Sequence, residues 1–334
     1  MRALGLLSGG LDSSLAVKLV MDQGIEVIAV KFTSAFCNCD SGGCCHAAKL
    51  AEKLGIRLIN IPKGQEYLDI VREPKFGRGS GMNICIDCRI FLLKKAKELA
   101  DELDAKFIFT GEVVGQRPMS QHTNTMMLIE KEAGLEGKLL RPLSAKLLPE
   151  TEAERNGWID RDKLRSISGR SRKPQIELAA QRGIVNYPCP AGGCLLTSKE
   201  FSSKLRDHLE HNPDRLNSMD VALLKVGRHF RVNGSKVIIG RDKGENDRLR
   251  MLAGSEHTIL EPISTPGPVC LCESDDQDML MFVSTMVARF SDNEGKNVNI
   301  KVRSDKIDES FDAKPIEPCK LDIYRVGELI ITIV

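Results

Sequence analysis

Residues 6–19, LLSGGLDSSLAVKL, place a Ser-Gly-Gly turn between a short apolar run and a segment with helical periodicity. The apolar run extends from Ala3 to Leu7 and is typical of a strand. The helical segment begins at Asp12, and we expect it to end at Gly24. Glu26 to Thr33 then alternates and is rich in β-branched residues, which again indicates a strand. The chain therefore opens with a strand, a helix and a second strand.

The same alternation continues along the chain. The segments HAAKLAEKLG (46–55) and FLLKKAKELADEL (91–103) predict helices, and RLINIP (57–62) and KFIFTGE (106–112) predict strands. Alternating strands and helices indicate an α/β fold with a doubly wound parallel sheet. Residues 144–175 are polar and basic, and we expect a helical extension there. Its Arg and Lys side chains form either a solvated face or a surface that contacts RNA phosphates.

After about residue 200 the pattern changes to short strands separated by turns. Asn233-Gly234 is a strong hairpin signal between two such strands. We therefore predict a second, smaller α+β domain, with boundaries at 1–200 for the first domain and 201–334 for the second.

Charge and composition restrict the class of protein. The chain has 334 residues, with 48 Lys plus Arg and 46 Asp plus Glu, so its net charge does not indicate a nucleic-acid partner. The sequence has no apolar stretch long enough for a membrane span or a signal-peptide core, which predicts a cytoplasmic protein without a membrane partner. Eleven cysteines in a reducing compartment favour metal binding or redox chemistry over disulfides.

The turn at residues 8–13 has the features of an anion site. Glycines allow a close approach to phosphate oxygens, and the following helix offers free N–H groups and the positive end of its dipole. We predict that a nucleotide, ATP, binds here through Ser8, Gly9, Gly10, Asp12 and Ser13. Asp12 would hold Mg²⁺ or orient the attacked group, which makes it a candidate catalytic residue. An ordinary helix N-cap is the alternative.

A second glycine-rich segment, GEVVGQRPMSQ (111–121), follows the strand over residues 106–110. Ligands bind at the carboxyl ends of strands in doubly wound sheets. Gly111 would allow close backbone approach to the nucleotide, and Gln116 could hydrogen-bond its base or ribose. A strand-to-helix connection without a ligand is the alternative.

The cysteines are arranged as a CxxC pair, Cys85 and Cys88, and a more distant pair, Cys189 and Cys194. Cys85, Cys88 and Cys189, with Cys194 as the alternative third ligand, would bind a 4Fe-4S iron–sulfur cluster through three thiolates and leave one iron open for hydrosulfide. A Cys₄ zinc site, unligated thiols, or a dithiol that carries a persulfide are the alternatives. The predicted catalytic cysteines are Cys85, Cys189 and Cys194. A further group of thiols, expected on a loop with metal binding as the alternative, comprises Cys37, Cys39, Cys44 and Cys45.

SGGLDS (8–13) closely resembles the PP-loop of the ATP pyrophosphatase superfamily, whose members split ATP between its α and β phosphates. Together with GEVVGQRPMSQ and LLRPL (139–143), it is similar to the tRNA 4-thiouridine synthetase branch, and HAAKLAEKLGI resembles a helix of the tRNA 2-thiouridylases. The superfamily places nucleotide contacts after the second strand, so the resemblance implies a contact at Phe32. It also implies that a carbonyl oxygen is adenylated and then displaced by a nucleophile.

Residues 226–253, VGRHFRVNGSKVIIGRDKGENDRLRMLA, resemble the RNA-binding domain of the NFACT proteins. The predicted RNA-binding residues are Arg228, His229, Phe230, Arg231 and Arg241. The cations would meet phosphates and the Phe230 ring would stack on a base. An ordinary solvated hairpin is the alternative.

These features together predict an ATP-dependent RNA sulfurtransferase that thiolates a uridine, most naturally in tRNA, and forms AMP and pyrophosphate. The expected partners are RNA and a sulfur donor, either sulfide or a carrier protein, and a homodimer is allowed for. An ammonia-dependent amidating or ligating enzyme, a cluster-dependent thiouracil desulfurase and a non-catalytic, nucleotide-regulated RNA-binding protein are the alternative functions.

Overall fold

The computed structural model describes residues 1–37, 46–184, 187, 193–263 and 265–327. The chain separates into two compact units, Met1–Thr197 and Ser198–Val334. This division lies close to the boundary expected at residue 200, and the functions assigned to the two domains stay predictions. Over the described ranges, no helix has both the length and the apolar character that crossing a membrane requires.

The N-terminal unit alternates strands and helices along the chain. Its elements are β1 (Arg2–Leu6), α1 (Leu11–Met21), β2 (Glu26–Thr33), α2 (His46–Leu54), β3 (Arg57–Pro62), α3 (Gly64–Arg72), α4 (Cys85–Glu102), β4 (Phe107–Thr110), α5 (Thr123–Ala133), β5 (Leu139–Leu140), α6 (Glu152–Arg155) and α7 (Lys173–Gln181).

The sheet of this unit has the order β3-β2-β1-β4-β5, and its neighbouring strands are parallel. The helices α1 and α2 pack on one face, while α4 and α5 pack on the other. Successive β1 residues Ala3 and Leu4 belong to these two different cores and are both fully buried, as expected for a strand covered on both sides. The predicted doubly wound α/β fold is confirmed.

The chain order of the strands puts three loops at one edge of this sheet. Because the strands are parallel, the segments after β1, β2 and β4 all leave from their carboxyl ends. The SGGLDS turn follows β1, and the GEVVGQRPMSQ segment begins directly after β4. The fold therefore brings the two predicted nucleotide-binding segments to the same edge.

The helical extension expected over residues 144–175 is wrong for most of its length. Helical turns at Ala145–Leu147, α6 and Arg161–Lys163 are joined by irregular chain, and a longer helix starts at Lys173. Gly157 has a φ of 65° just after α6, a left-handed conformation that ends a helix. The apolar side chains of Ile159 and Leu164 are buried in the core that α1 and α2 form with the sheet. These two side chains hold the irregular segment on the surface of the unit.

The C-terminal unit consists of short strands and helices. Its elements are α8 (Lys199–His211), α9 (Ser218–Leu224), β6 (Arg228–Val232), β7 (Ser235–Ile239), α10 (Lys243–Leu252), β8 (Thr258–Pro262), β9 (Cys270–Cys272), α11 (Gln277–Arg289), β10 (Val298–Arg303), β11 (Asp308–Ala313) and α12 (Pro318–Asp322).

The sheet of this unit has the order β11-β10-β8-β9-β7-β6 and its pairings are antiparallel. Side chains of α11 cover one face, and side chains of α9 and α10 cover the other. Asn233 and Gly234 connect β6 to β7 with φ values of 47° and 81°, the conformation that an Asn-Gly hairpin turn requires. The predicted α+β class of this unit is confirmed.

Candidate active site

The turn after β1 is shaped by its two glycines. Gly9 has a φ of 83°, which favours glycine over any residue with a side chain. A Cβ atom added there would lie 2.7 Å from the backbone nitrogen of Ala47, so the turn packs directly on the start of α2. Gly10 is the N-cap of α1 and no side chain caps the helix from it. The first-turn N–H groups of α1 therefore remain available for an anion.

Hydrogen bonds of serine hydroxyl groups within the turn fix its conformation. The Ser13 Oγ donates a hydrogen bond to the Gly10 carbonyl oxygen over 3.0 Å, and the Ser14 Oγ does the same over 2.8 Å. The Ser8 and Ser13 Oγ atoms are 3.1 Å apart, and Ser8 Oγ also accepts from the Gly10 N–H. The loop is thus held in one conformation by its own side chains before any ligand binds.

Asp12 is the acidic residue of the turn, and its two oxygens have different surroundings. Its Oδ2 atom accepts hydrogen bonds from Gln116 Nε2 and from an Arg172 guanidinium nitrogen, each over 3.2 Å. Its Oδ1 atom is buried and has no hydrogen-bond partner among the described residues. A buried carboxylate oxygen without a donor is a ligand of the kind that Mg²⁺ prefers. The residues present therefore fit a magnesium site.

The other predicted nucleotide-binding residues have separate places. A Cβ on Gly111 would lie 2.5 Å from the Ser13 backbone nitrogen, so the end of β4 is pressed against the first turn of α1. Gln116, expected to bind a base or ribose, contacts Asp12 instead. The Phe32 ring, near the end of β2, is half-buried and packs on the core beneath α4. Their roles toward a nucleotide stay predictions.

Four of the cysteines gather near the start of α4. Cys85 and Cys88 are one helical turn apart, and Cys88 Sγ accepts a hydrogen bond from Lys63 Nζ over 3.3 Å. The Tyr67 hydroxyl also hydrogen-bonds to Cys88, and Lys63 Nζ lies 4.2 Å from the centre of the Tyr67 ring. Cys194 faces Cys37 across an isolated antiparallel backbone bridge.

Burial keeps several of these groups in their neutral forms. It raises the pKa of the Cys194 thiol to about 11, and negative charge on Cys88 or Cys37 acts in the same direction. Burial also raises the pKa of Cys85, with Cys88 as the next cause, and it raises the pKa of Tyr67 well above its usual value. Because the thiolate is the reactive form, Cys85 and Cys194 need a proton acceptor or a nearby cation to react at neutral pH.

The iron–sulfur prediction requires three thiols close to one another. The described residues do not contain such a set. Over the described ranges, no three Cys, His, Asp or Glu side chains are placed to hold one metal ion. Cys189, the third predicted ligand, lies outside the described residues, as do Cys39, Cys44 and Cys45. The described thiols alone do not fit the cluster.

A buried charge network connects the cysteine helix to the sheet. The carboxylate of Glu112, just after β4, lies 3.3 Å from nitrogens of both Arg89 and Arg141. Arg141 in turn forms a close ion pair with Glu130 on α5. Burial alone would raise the pKa of Glu112, but the two arginines hold it below its usual value. Arg89 directly follows Cys88, so this network fixes the CxxC segment relative to β4.

In the C-terminal unit, two of the predicted RNA-binding side chains are inside the protein. Phe230 is fully buried in the core under α11, so its ring is not at the surface where a base could stack. His229 is 2% exposed, and its Nε2 donates to the Val226 carbonyl oxygen over 2.9 Å. Burial, with Lys236 and Lys204 nearby, lowers the pKa of His229 well below its usual value, so the ring is neutral.

The three predicted arginines of this unit are engaged with neighbouring groups. The Arg231 Nε is 3.2 Å from Asp207 Oδ1, and Arg241 forms a 2.6 Å ion pair with Glu245. The Arg228 guanidinium lies 4.6 Å from the centre of the Phe290 ring. Arg241 retains 43% of its side-chain exposure and Arg231 retains 14%. Arg241 is therefore the more accessible of these two predicted phosphate contacts.

The residues that the sequence did not assign to the site come from distant parts of the chain. Arg172 belongs to the basic segment that was expected to be either a solvated face or an RNA-facing surface, and it meets Asp12. Lys63 and Tyr67 surround Cys88 without any recognisable motif. Arg141 is part of the LLRPL segment, which supported the family resemblance but gave no sign of an ion pair with Glu112. Each meeting depends on strand order, so no local signal could have revealed it.

The parallel sheet and the glycine turn after β1 resemble those of the PP-loop nucleotide-binding proteins. Residues 1–146 match the family model described as Thiamine biosynthesis protein (ThiI). Residues 227–325 match the model described as NFACT protein RNA binding domain. The predicted resemblance is confirmed: the N-terminal unit resembles the tRNA-thiolation branch of the PP-loop proteins, and the C-terminal unit resembles the NFACT RNA-binding domain.

Individual relatives are more distant. The tRNA-specific 2-thiouridylase MnmA of Shewanella putrefaciens (strain CN-32 / ATCC BAA-453) is 26% identical over 241 residues, which cover 67% of this chain and 60% of that protein. The chain thus matches less than two thirds of that relative's length.

Two solved structures share lower identity with the chain. The U34-tRNA thiolase NcsA from Methanococcus maripaludis, solved with its 4Fe-4S cluster, is 18% identical with a TM-score of 0.33, and the match covers 67% of this chain and 69% of that one. A 4-thiouridine synthetase in complex with RNA and ATP is 19% identical with a TM-score of 0.35, and the match covers 55% and 51%. At these TM-scores neither likeness carries an argument about this chain.

Proposed function

We propose that this protein is an ATP-dependent RNA sulfurtransferase. It adenylates a carbonyl oxygen of a uridine, most naturally in tRNA, and then replaces that oxygen with sulfur, forming AMP and pyrophosphate. The match of the N-terminal unit to a ThiI family model supports the sulfurtransferase activity of this proposal. The match of the C-terminal unit to an NFACT RNA-binding domain supports RNA as the substrate. The observation that carries it is the partnerless, buried Asp12 Oδ1 beside the uncapped first turn of α1.

The first step is binding of the ATP polyphosphate to the PP-loop. The preformed turn offers backbone N–H groups from the start of α1, and Gly9 and Gly10 present no side chain to the phosphates. Because serine hydroxyls already fix the turn, binding needs little ordering of the loop. A rigid donor array of this kind stabilises charge that develops on the departing pyrophosphate.

In the second step the uridine oxygen attacks the α-phosphate and pyrophosphate leaves. Mg²⁺ held by Asp12 would neutralise part of the charge on the pyrophosphate. Arg172 is paired with Asp12 in the described structure, and its guanidinium can turn from that carboxylate to a phosphate oxygen when ATP enters. Charge-assisted hydrogen bonds of this type contribute about 1.5–3 kcal/mol each.

Sulfur transfer then proceeds through a cysteine persulfide. Cys88 carries the extra sulfur as a persulfide, which it receives as sulfane sulfur from a persulfide-bearing donor protein, and the terminal sulfur of this persulfide attacks the activated carbon so that AMP leaves. Cys194 loses its proton and attacks the Cys88 sulfur, which leaves sulfur on the base and a Cys88–Cys194 disulfide. A dithiol reductant then restores both thiols. Lys63 donates a 3.3 Å hydrogen bond to Cys88 Sγ and so helps to hold this sulfur in position.

The iron–sulfur cluster remains the alternative carrier in this proposal. Cys85 and Cys88 are suitably placed for two of its ligands, one helical turn apart, and the third, Cys189, lies outside the described residues. Absorbance of anaerobically purified protein near 400 nm, with iron and sulfide analysis, distinguishes the two carriers.

The test of the whole proposal is a reaction with ATP, Mg²⁺, total tRNA and a sulfur source: a persulfide donor with a dithiol reductant for the persulfide route, or sulfide for the cluster route. We expect AMP and pyrophosphate to form together, and mass spectrometry of the digested RNA to detect a thiouridine. Asp12→Asn should lower AMP formation by at least about 10²-fold, while Asp101→Asn, an exposed site on α4, should not change it. Formation of ADP, or RNA-independent turnover without a thiolated nucleoside, would refute the proposal.

A further inference from the structure

A concave surface on the N-terminal unit is unassigned by the proposed reaction. It is a cleft of about 500 Å³ between α1, α2 and the chain that follows α7. Five of its lining residues carry a basic side chain: Lys18, His46, Lys49, Lys53 and Arg182. Apolar side chains of Leu50, Leu54 and Ile184 line it as well, and Tyr187 completes it.

The charge in this cleft is not neutralised locally. Asp22 forms ion pairs with Lys18, at 2.8 Å, and with Arg182, so these two cations share one carboxylate. Lys49 and Lys53 are exposed and form no ion pair in the described parts of the chain. The described lining of the cleft contains no Asp or Glu. Its field is therefore positive and suits a polyanion.

The position of the cleft connects it to the PP-loop. His46 begins α2, and a Cβ on Gly9 would lie 3.1 Å from its side-chain Cβ. One end of the cleft is thus at the turn that we assign to the ATP phosphates. Tyr187, also in the lining, precedes the predicted cysteine Cys189 by two positions in the sequence. A ligand in this cleft would therefore lie beside the turn that we assign to the ATP phosphates.

We propose that this cleft binds the sugar-phosphate backbone of the RNA substrate next to the nucleotide that is modified. This inference rests on the proposed function. Lys49 and Lys53, one helical turn apart on α2, contact phosphates, and the apolar flank with Tyr187 packs against a sugar or an unstacked base. RNA held there enters the adenylation site independently of contacts made by the C-terminal unit.

The test compares two double variants of the full chain that change charge equally. Lys49→Gln with Lys53→Gln alters the cleft, and Lys94→Gln with Lys131→Gln alters exposed residues of α4 and α5 on the other face of the sheet. RNA affinity is measured over a range of salt concentrations. Losing two phosphate contacts should lower the slope of log K against log salt by about 1.4–1.8, and weaken the Kd at least about tenfold at 0.1 M salt. The control pair should change neither quantity.

A second variant examines the aromatic contact. Tyr187→Leu should weaken RNA binding by roughly 5- to 150-fold, the range for loss of one stacking partner, whereas Tyr187→Phe should keep it. All of these substitutions are compared for ATP affinity without RNA, which should stay unchanged because none of them alters the PP-loop.

The outcomes separate this inference from the proposed function. If wild-type protein binds RNA and forms AMP but the cleft variants match the control, the inference is overturned and the function stands. The inference is also overturned if the Lys49 and Lys53 variant loses affinity for an acidic peptide but keeps its affinity for RNA. The ligand of the cleft would then be a protein. If wild-type protein neither binds RNA nor forms AMP, the proposed function itself has failed.

Discussion

Replacing Gly9 by alanine should disable the PP-loop, and Gly24 provides a matched control. Both glycines have positive φ, 83° and 77°, so alanine pays a similar backbone penalty of about 1–2 kcal/mol at either site. They differ in their surroundings. A Cβ at Gly24 meets nothing within 4 Å, whereas a Cβ at Gly9 lies 2.7 Å from the Ala47 backbone nitrogen.

The size of the effect follows from that contact. Ordinary van der Waals contact begins at 3.4 Å, so the turn and the start of α2 must separate by about 0.7 Å. The clashing atom belongs to backbone and cannot rotate away. Misplacing reacting groups by about 1 Å can cost about 10²-fold in rate. We expect Gly9→Ala to lower AMP formation on the order of 10²-fold, with weaker ATP binding.

The assay measures initial AMP formation, the Kd for ATP and the free energy of unfolding in urea for both variants. Gly24→Ala should lose about 1–2 kcal/mol of stability and keep wild-type turnover. If Gly9→Ala retains turnover within about threefold of Gly24→Ala, less than 1 kcal/mol in barrier, the contact does not position the loop and the reasoning is refuted.

Four further predictions follow from other parts of the structure. Arg172→Ala should lower AMP formation by roughly 10- to 10²-fold, the equivalent of one charge-assisted hydrogen bond; rates equal to wild type under saturating ATP would contradict its proposed role. Glu112→Gln should cost about 3–5 kcal/mol in urea unfolding, because it leaves Arg89 without a carboxylate and the buried Arg141 with Glu130 alone; a loss below about 1 kcal/mol would show that the network is solvated. Phe230→Ala should cost about 3–5 kcal/mol as a buried core truncation, and an unchanged melting temperature would disprove its burial. His229 has a lowered pKa in the folded state, so its contribution to stability is complete above about pH 6.5 and declines as the pH falls below that value; His229→Asn should flatten this part of the pH dependence of unfolding, and an unaltered profile would rule His229 out as its cause.

Local sequence patterns were sufficient for the N-terminal fold and for the PP-loop. The β1 and β2 runs are apolar and short, and α1 begins just after the Ser-Gly-Gly turn, so each element is encoded within its own residues. Asp12 could be singled out because an acidic residue at such a turn has a limited set of chemical uses. The alternation of elements then determined the parallel sheet and the edge at which ligands bind.

The rest of the site depends on pairs that are far apart in sequence. Asp12 meets Arg172, and Cys88 meets Lys63, only after the sheet and its helices are assembled. The C-terminal hairpin shows a different difficulty. Both His229 and Phe230 were predicted to contact RNA, although neighbouring strand residues point to opposite faces of a sheet. Both side chains are buried because helices pack on both faces of this sheet. The residue pattern of a single strand does not show that helices pack on its second face.

The central position of β1 has a consequence for the order of events during protein synthesis. β1 is translated before its partners: one of its edges is completed by β4 at residues 107–110, and the Asp12 partner arrives with residue 172. At about 5–20 residues per second, the ribosome needs roughly 8–33 seconds to extend the chain from the end of β1 at Leu6 to Arg172. ATP capture by a nascent chain should therefore begin only once most of the N-terminal unit has emerged, well after the loop after β1 has been made.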